Sequence, residues 1–341
     1  MNRRSVLAAL AASGALTTLA ACGGDDDSAT GGSASSASTT SPSGDGAFPV
    51  TIEHKLGSTT IEAAPTKVVT VGYNEQDFVL ALGVTPVGTR TPLGDYDSTK
   101  RPWAVDLLPA GGIPSVGQAE LNFEAIAAQG PDLVVGAYSY MTQDDYDKLT
   151  AIAPTVADVV PAGQDASTTA AASWQEELAA IGRALGKEDE ASSLTDDVEA
   201  EFTAAADANP GFKGKVVSVV LYNQGYYALD ATDPRGAFFL QFGFDANPVS
   251  GSLSEEQVVQ LDTDVLVVLG LGKAEFAQNA AAAQLKVVTE NRTVYVPSFG
   301  SDFAGALGFS SPLSLPFAID AAVPSLVTAT DGDPATVPAD L

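Results

Sequence analysis

Between residues 48 and 330 the apolar positions fall into short unbroken runs separated by stretches of helical period, and few of the runs alternate apolar with polar. Unbroken runs of Val and Leu suit strands buried on both faces of a parallel sheet, with helices covering them. The same order of elements occurs twice when the chain is laid against itself. Each half opens on a matching strand, Lys67-Val68-Val69-Thr70-Val71 and Lys215-Val216-Val217-Ser218-Val219. A helical segment follows and stops at glycine, over 78–83 in one half and 238–243 in the other. A short second strand lies around Pro86-Val87 and Pro248-Val249. Next comes a Glu, with an apolar residue two positions on and, eight positions on, an Asp that leads a strand. These are Glu124, Ile126 and Asp132 before Leu133-Val134-Val135, and Glu256, Val258 and Asp264 before Val265-Leu266-Val267. Each half closes on a β segment, Pro154-Thr155-Val156 or Thr293-Val294-Tyr295-Val296. The pattern predicts an α/β protein of two similar lobes with mainly parallel sheets, over 48–172 and 209–330, with a ligand cleft between them and a tail over 331–341.

Between the lobes, Trp174, Leu178, Ile181, Leu185, Leu194, Val198 and Phe202 recur at spacings of three, four and their multiples. This predicts one long linking helix over 173–208, ended by Pro210-Gly211 and broken at most once, with Gly182 and Gly186 as the candidate breaks. A helical joint is stiffer than paired crossing strands, so large closure of the lobes is not expected.

The first 47 residues have a different character. Arg3 and Arg4, an apolar stretch from Val6 to Leu19 and small residues up to Cys22 form an export signal over 1–21. Leu19-Ala20-Ala21-Cys22 resembles the lipobox of bacterial lipoproteins, which implies an acylated Cys22 as the mature N-terminus. An ordinary secretory signal with a chance cysteine is the competing reading, and Asn2-Arg3-Arg4 permits either Sec or twin-arginine export. Residues 22–47 are then a lipidated start and a tether of Gly, Ser, Ala, Thr and Asp, too poor in apolar groups to order itself. Asp25, Asp26 and Asp27 read as solvated charge.

Composition narrows the chemistry. Among 341 residues, 43 acidic side chains face 16 basic ones, a net charge of −27, which argues against nucleic acid as a partner. One cysteine makes no internal disulfide, and one histidine, His54, supplies no multi-histidine metal site. Ligands of open α/β sheets lie beyond the carboxyl ends of the strands. In the first lobe that position holds Gly72-Tyr73-Asn74, Arg90, Tyr138, Tyr140 and Met141, and in the second Tyr222, Tyr226, Tyr227, Arg235, Phe299 and Phe303. Trp103 shares a loop with Arg101. Any single tyrosine here reads equally as a core-edge residue, but their concentration on both sides of one cleft points to ligand contact. Arg90 and Arg235 occupy cleft loops of opposite lobes. In so acidic a chain they imply an anionic or oxygen-rich ligand, with local ion pairs as the alternative. The candidate ligand set is Arg90, Trp103, Tyr138, Tyr140, Tyr222, Tyr226, Tyr227, Arg235, Phe299 and Phe303. No catalytic constellation, direct metal site or cofactor is expected.

Several motifs in order carry a resemblance. Thr66-Lys67-Val68-Val69-Thr70, Leu80-Ala81-Leu82-Gly83-Val84-Thr85-Pro86-Val87-Gly88, Asn122-Phe123-Glu124-Ala125-Ile126, Pro131-Asp132-Leu133-Val134 and Ile181-Gly182-Arg183-Ala184-Leu185-Gly186 resemble the periplasmic-binding-protein-like family that serves ferric-siderophore and cobalamin ABC importers. Tyr146-Asp147-Lys148-Leu149, Ile152-Ala153-Pro154-Thr155-Val156 and Gly308-Phe309-Ser310-Ser311-Pro312-Leu313-Ser314-Leu315-Pro316-Phe317 resemble its iron-siderophore lipoprotein branch. The resemblance implies the class III fold, two lobes joined by one long helix, and a monomer lipid-anchored on the extracytoplasmic face of the cell membrane. It implies capture of a ferric siderophore and delivery to an ABC permease dimer with its ATPase. Glu124 and Glu256 match the glutamates that dock on the permease, although Glu255 stands beside the second, and a Glu two residues after Asn122 or Ser254 also suits a helix start. Five arginines in the mature chain favour a hydroxamate or mixed siderophore over a highly charged catecholate. Haem, with Met141, Tyr138 or Tyr140 as axial ligand, and cobalamin are the alternative ligands.

Overall fold

Alternating burial shapes the first element. In the computed structural model, which describes residues 48–341 apart from 95 and 169, strands β1 (Val50–His54) and β2 (Gly57–Ile61) pair antiparallel. Ile52, His54, Thr59 and Ile61 turn inward from this hairpin, which the repeat does not contain. The signal peptide, Cys22 and the tether lie outside the described residues.

The first lobe runs β3 (Val68–Thr70), α1 (Glu75–Ala81), β4 (Gly88–Thr89), α2 (Phe123–Ala128), β5 (Leu133–Val135), α3 (Gln143–Thr150) and β6 (Thr155–Val156). Its strands are all parallel in the order β4-β3-β5-β6. Successive side chains face opposite sides, so Val68, Leu133 and Val135 join the core with Phe78 of α1, whereas Val69 and Val134 pack with Ile126 of α2 and Leu149 of α3.

The connection between lobes is a helix pair, not one rod. Ser173 and Glu176 form a capping box at the start of α4 (Trp174–Leu185). Gly186, at φ 70°, ends it in the left-handed conformation, and α5 (Glu188–Ala208) then crosses to the second lobe. Gly182 stays helical.

The second lobe runs β7 (Val216–Tyr222), β8 (Tyr226–Leu229), α6 (Pro234–Leu240), β9 (Asp245–Ala246), β10 (Gly251–Leu253), β11 (Val265–Leu269), α7 (Lys273–Phe276), α8 (Lys286–Thr289), β12 (Thr293–Val296), α9 (Asp302–Phe309) and α10 (Ser314–Thr330). The sheet order is β10-β8-β7-β11-β12, with β9 beside β7. Strands β7, β9, β11 and β12 are parallel, but β8 returns antiparallel on β7 and β10 on β8. One bond displays the internal repeat directly. Asp132 accepts the amide of Lys67 at 2.8 Å, and Asp264 accepts that of Val216 at 2.8 Å, so each Asp fixes the start of its lobe's leading strand. The last residues dock on the second lobe, where the Leu341 amide donates to the Tyr295 carbonyl.

Side-chain contacts tie the lobes beside the linker. Asn74 Nδ2 donates to the Phe309 carbonyl, Ser311 Oγ to Asp77, and the Tyr96 hydroxyl to Asp302. The Tyr96 ring lies so close on α9 that a Cβ at Gly305 would sit 2.7 Å from its carbons.

Candidate functional site

Two buried carboxylates set the first lobe's edge of the cleft. After β5, Glu75 accepts the Tyr138 amide at 2.6 Å. Asp158 accepts the amides of Ser139, Tyr140 and Met141 at 2.9, 2.7 and 3.1 Å and the Ser139 hydroxyl at 2.8 Å. This clamp holds Tyr140 at φ 52°, a left-handed conformation that disfavours most side chains, and leaves its ring exposed. Burial pushes the Glu75 carboxyl up to about 8, against the opposing pull of the backbone amides it accepts.

Tyr73, Tyr138 and Tyr140 form one aromatic cluster. Their ring centroids are 5.2 to 6.4 Å apart, and the Tyr140 hydroxyl donates to that of Tyr138 at 3.2 Å. Burial, and then the Tyr140 hydrogen bond, raises the Tyr138 phenol, so it stays neutral. The Arg90 guanidinium lies 4.5 Å from the Tyr73 ring centre. Arg90 is 6% exposed, and its Nε, Nη1 and Nη2 donate to the carbonyls of Gln118, Val71 and Ala119. Two of the five N–H groups of a guanidinium remain after these bonds. Among the described residues no carboxylate pairs with Arg90, whereas Arg101, Arg183, Arg235 and Arg292 pair with Asp77, Glu188, Asp233 and Glu290.

Two recesses meet at Tyr73. One, of about 470 Å³, is lined by Tyr73, Arg90, Phe123, Tyr140, Met141 and Lys148. The other, of about 500 Å³, lies between the lobes and is lined by Tyr73, Tyr96, Asn223, Arg235, Phe299 and Phe309. The structure thus brings Arg90, Tyr140, Arg235 and Phe299 to these recesses, with Tyr138 beside Tyr140.

The remaining candidates are placed elsewhere. Trp103 does not line the cleft: its Nε1 donates to the buried Asp77 at 2.7 Å, and its ring stacks behind Tyr96 at 5.7 Å and 7°. Tyr226 is buried in the second lobe's outer core against Phe276, and the Tyr222 ring packs on it, tilted by 60°, at 5.0 Å. Tyr227 is exposed on the opposite face of β8, away from both recesses. Phe303 is buried against Phe238. The physical reason for the three tyrosines is the hairpin: Asn223-Gln224-Gly225 turns the chain at once, so residues expected in a loop belong to a strand and alternate in and out. Arg235 forms the local pair that was its alternative reading, bidentate to Asp233 at 2.9 and 2.7 Å. Sequence reasoning missed Tyr96, although its place beside Trp103 in an aromatic loop was a signal. It also missed Glu177, which follows the capping Glu176 in the first turn of α4 and carries no mark of its burial in the sequence.

Glu124 lies exposed in the first turn of α2, where Asn122 itself supplies the cap to the Ala125 amide. Glu256 and Glu255 are exposed ahead of a 3-10 turn over Gln257–Leu261, and there Ser254 and Gln257 cap each other. Glu256 holds the N-cap position of that turn, but neither its side chain nor that of Glu124 makes a capping hydrogen bond among the described residues. Met141 is partly buried against the core beneath α2 and α3.

The periplasmic binding protein family profile matches residues 68–298. A protein of Bacillus subtilis named a probable siderophore-binding lipoprotein, YfiY, is 29% identical over 235 residues, which covers 63% of this chain and 67% of its own. The crystal structure of a periplasmic solute binding protein from Mycobacterium smegmatis superposes with a TM-score of 0.72 at 31% identity, covering 82% of this chain and 98% of the other. Staphylococcus aureus SirA complexed with staphyloferrin B superposes with a TM-score of 0.63 at 25% identity, covering 80% and 96%.

Proposed function

Since this chain belongs to the periplasmic binding protein family, we propose that it is an extracytoplasmic solute-binding lipoprotein that captures a ferric siderophore, of hydroxamate or mixed type, and delivers it to an ABC importer. The observation that carries this reading is Arg90, a buried cation without a carboxylate partner among the described residues, which lies against the Tyr73 ring and lines the recess with Tyr73 and Tyr140. Iron-bound oxygens carry partial negative charge, and the two free N–H groups of Arg90 supply charge-assisted donors to them. The tyrosine faces, with Phe299 and Tyr96 across the cleft, give a broad aromatic enclosure for an organic shell. Haem is the weaker reading, because the Met141 side chain packs partly against the lobe's core and the Tyr138 and Tyr140 hydroxyls are bonded to each other.

In this proposal Glu124 and Glu256, one on each lobe, dock on the permease dimer, and Cys22 carries the lipid. The protein acts as a monomer without a resident cofactor or catalytic step. Titration of the intrinsic fluorescence with ferric and metal-free siderophores, haem and cobalamin tests it. Saturable quenching by a ferric hydroxamate, weaker for the metal-free form, is expected. Quenching by haem or cobalamin alone would replace the siderophore with that ligand.

A further inference from the structure

Behind the cleft, where both lobes meet the linking helices, lies a smaller chamber of about 170 Å³. Asn74 and Tyr138 of the first lobe, Trp174 and Glu177 of α4, and Asp233 and Arg235 of the second lobe line it. Arg235, Leu307 and Gly308 border both chamber and cleft, so the two spaces adjoin.

Its wall holds polar groups that the protein leaves unmatched. Asn74 is 4% exposed, and its Nδ2 donates to Glu177 at 2.9 Å and to the Phe309 carbonyl at 3.3 Å. Those two acceptors fix the orientation of the amide and leave Oδ1 buried without a donor. Trp174, 8% exposed, has a buried Nε1 without an acceptor. Glu177 is 3% exposed and has no cation of the chain paired with it among the described residues. Burial, then the charge of Glu75, holds its carboxyl well above the ordinary range. Arg235, the one cation among the described residues of the wall, is already matched by Asp233. Interiors rarely leave such groups unpaired, and here two of them line a space that adjoins the proposed ligand.

We propose that this chamber receives a protonated amine borne on an arm of the bound ferric siderophore, with its N–H groups donating to Asn74 Oδ1 and to Glu177, whose carboxyl gives up its proton to solvent as the ammonium enters. An oxygen of the same arm accepts from Trp174 Nε1. The inference rests on the ferric-siderophore reading above. A bare metal ion fits less well, since among the described residues no cluster of three or more His, Cys, Asp or Glu side chains is placed to hold one. An ammonium also supplies the directional donors that an amide oxygen lacks.

The probes are a linear ferric trihydroxamate with a free terminal amine and the same complex with that amine acetylated, titrated against the wild type and Glu177→Gln by fluorescence quenching. The wild type is expected to prefer the free amine by about tenfold or more, and the variant to prefer it by less than about twofold. A preference due only to the bulk of the acetyl group would survive the substitution and would overturn the inference. Equal wild-type affinity for the two forms, a result that requires no variant to fold, also overturns it and leaves the chamber to water. So does binding of neither form when another ferric siderophore binds. Silence toward every ferric siderophore removes the underlying reading as well.

Discussion

Arg90 and Arg235 were equivalent as letters in two cleft loops, and their surroundings separate them. Arg235 meets a carboxylate two residues away, whereas Arg90 is held by backbone carbonyls that balance none of its charge. Arg90→Gln should therefore weaken a ferric ligand by about ten- to a hundredfold, and Arg235→Ala by less. Equilibrium quenching checks this, and the opposite ranking would move recognition to Arg235. Glu75 shows what a sequence hides at this scale, because nothing in Asn74-Glu75-Gln76 marks its carboxyl as fully buried. With its pKa raised from 4.5 to about 8, the folded state retains a proton that the unfolded chain releases. Its contribution to stability is complete below the unfolded value and is lost as pH rises through about 8. Asp77 and Glu177 are shifted in the same direction. Denaturant midpoints should fall from about pH 5 to about pH 8, with a shallower slope in Glu75→Gln. An unchanged slope would assign the fall to the other two acids.

Elements were legible where burial on both faces leaves an unbroken apolar run. Val68-Val69, Leu133-Val134-Val135 and Val265-Leu266-Val267 are strands in which every one of these residues is buried. Legibility failed where a tight turn redirects the chain. Nothing before Asn223-Gln224-Gly225 announces that β7 turns back on itself, so Tyr226 and Tyr227 read as loop residues although one is core and the other surface. Period two at Ile52, His54, Thr59 and Ile61 was present in the first hairpin, but polar residues share its inner face and mask the signal. The linker's apolar spacing was clear, while the choice between Gly182 and Gly186 depended on backbone angles. Gly186→Ala must hold alanine at φ 70° and should lower unfolding stability by about 1 kcal/mol. A thermal or denaturant melt measures this, and an unchanged midpoint would mean that the cap relaxes.

At the scale of the whole molecule, the lobes are fastened by a helix pair and by Asn74, Asp77 and Tyr96 reaching to α9 and the residues that follow it. Such fastening suits the proposed two-point dock, which needs the two lobes' exposed glutamates at a fixed spacing. Glu124→Lys combined with Glu256→Lys should abolish uptake in cells while ligand affinity stays as in the wild type, since each reversal replaces attraction with repulsion. Normal import by the double variant would reduce both residues to helix-start acids. The acidic balance has a kinetic consequence. A ferric complex of net negative charge approaches a body more acidic still than the full sequence's −27, since the signal carries off Arg3 and Arg4, and meets Arg90 only after crossing that repulsive field, whose reach in about 0.15 M salt is about 8 Å. Added salt should then speed the arrival of anionic complexes, leave neutral ones unaffected and slow cationic ones. Stopped-flow association rates at two ionic strengths would expose this filter, in which the protein sorts its ligands by charge during the encounter, before any of them touches the cleft.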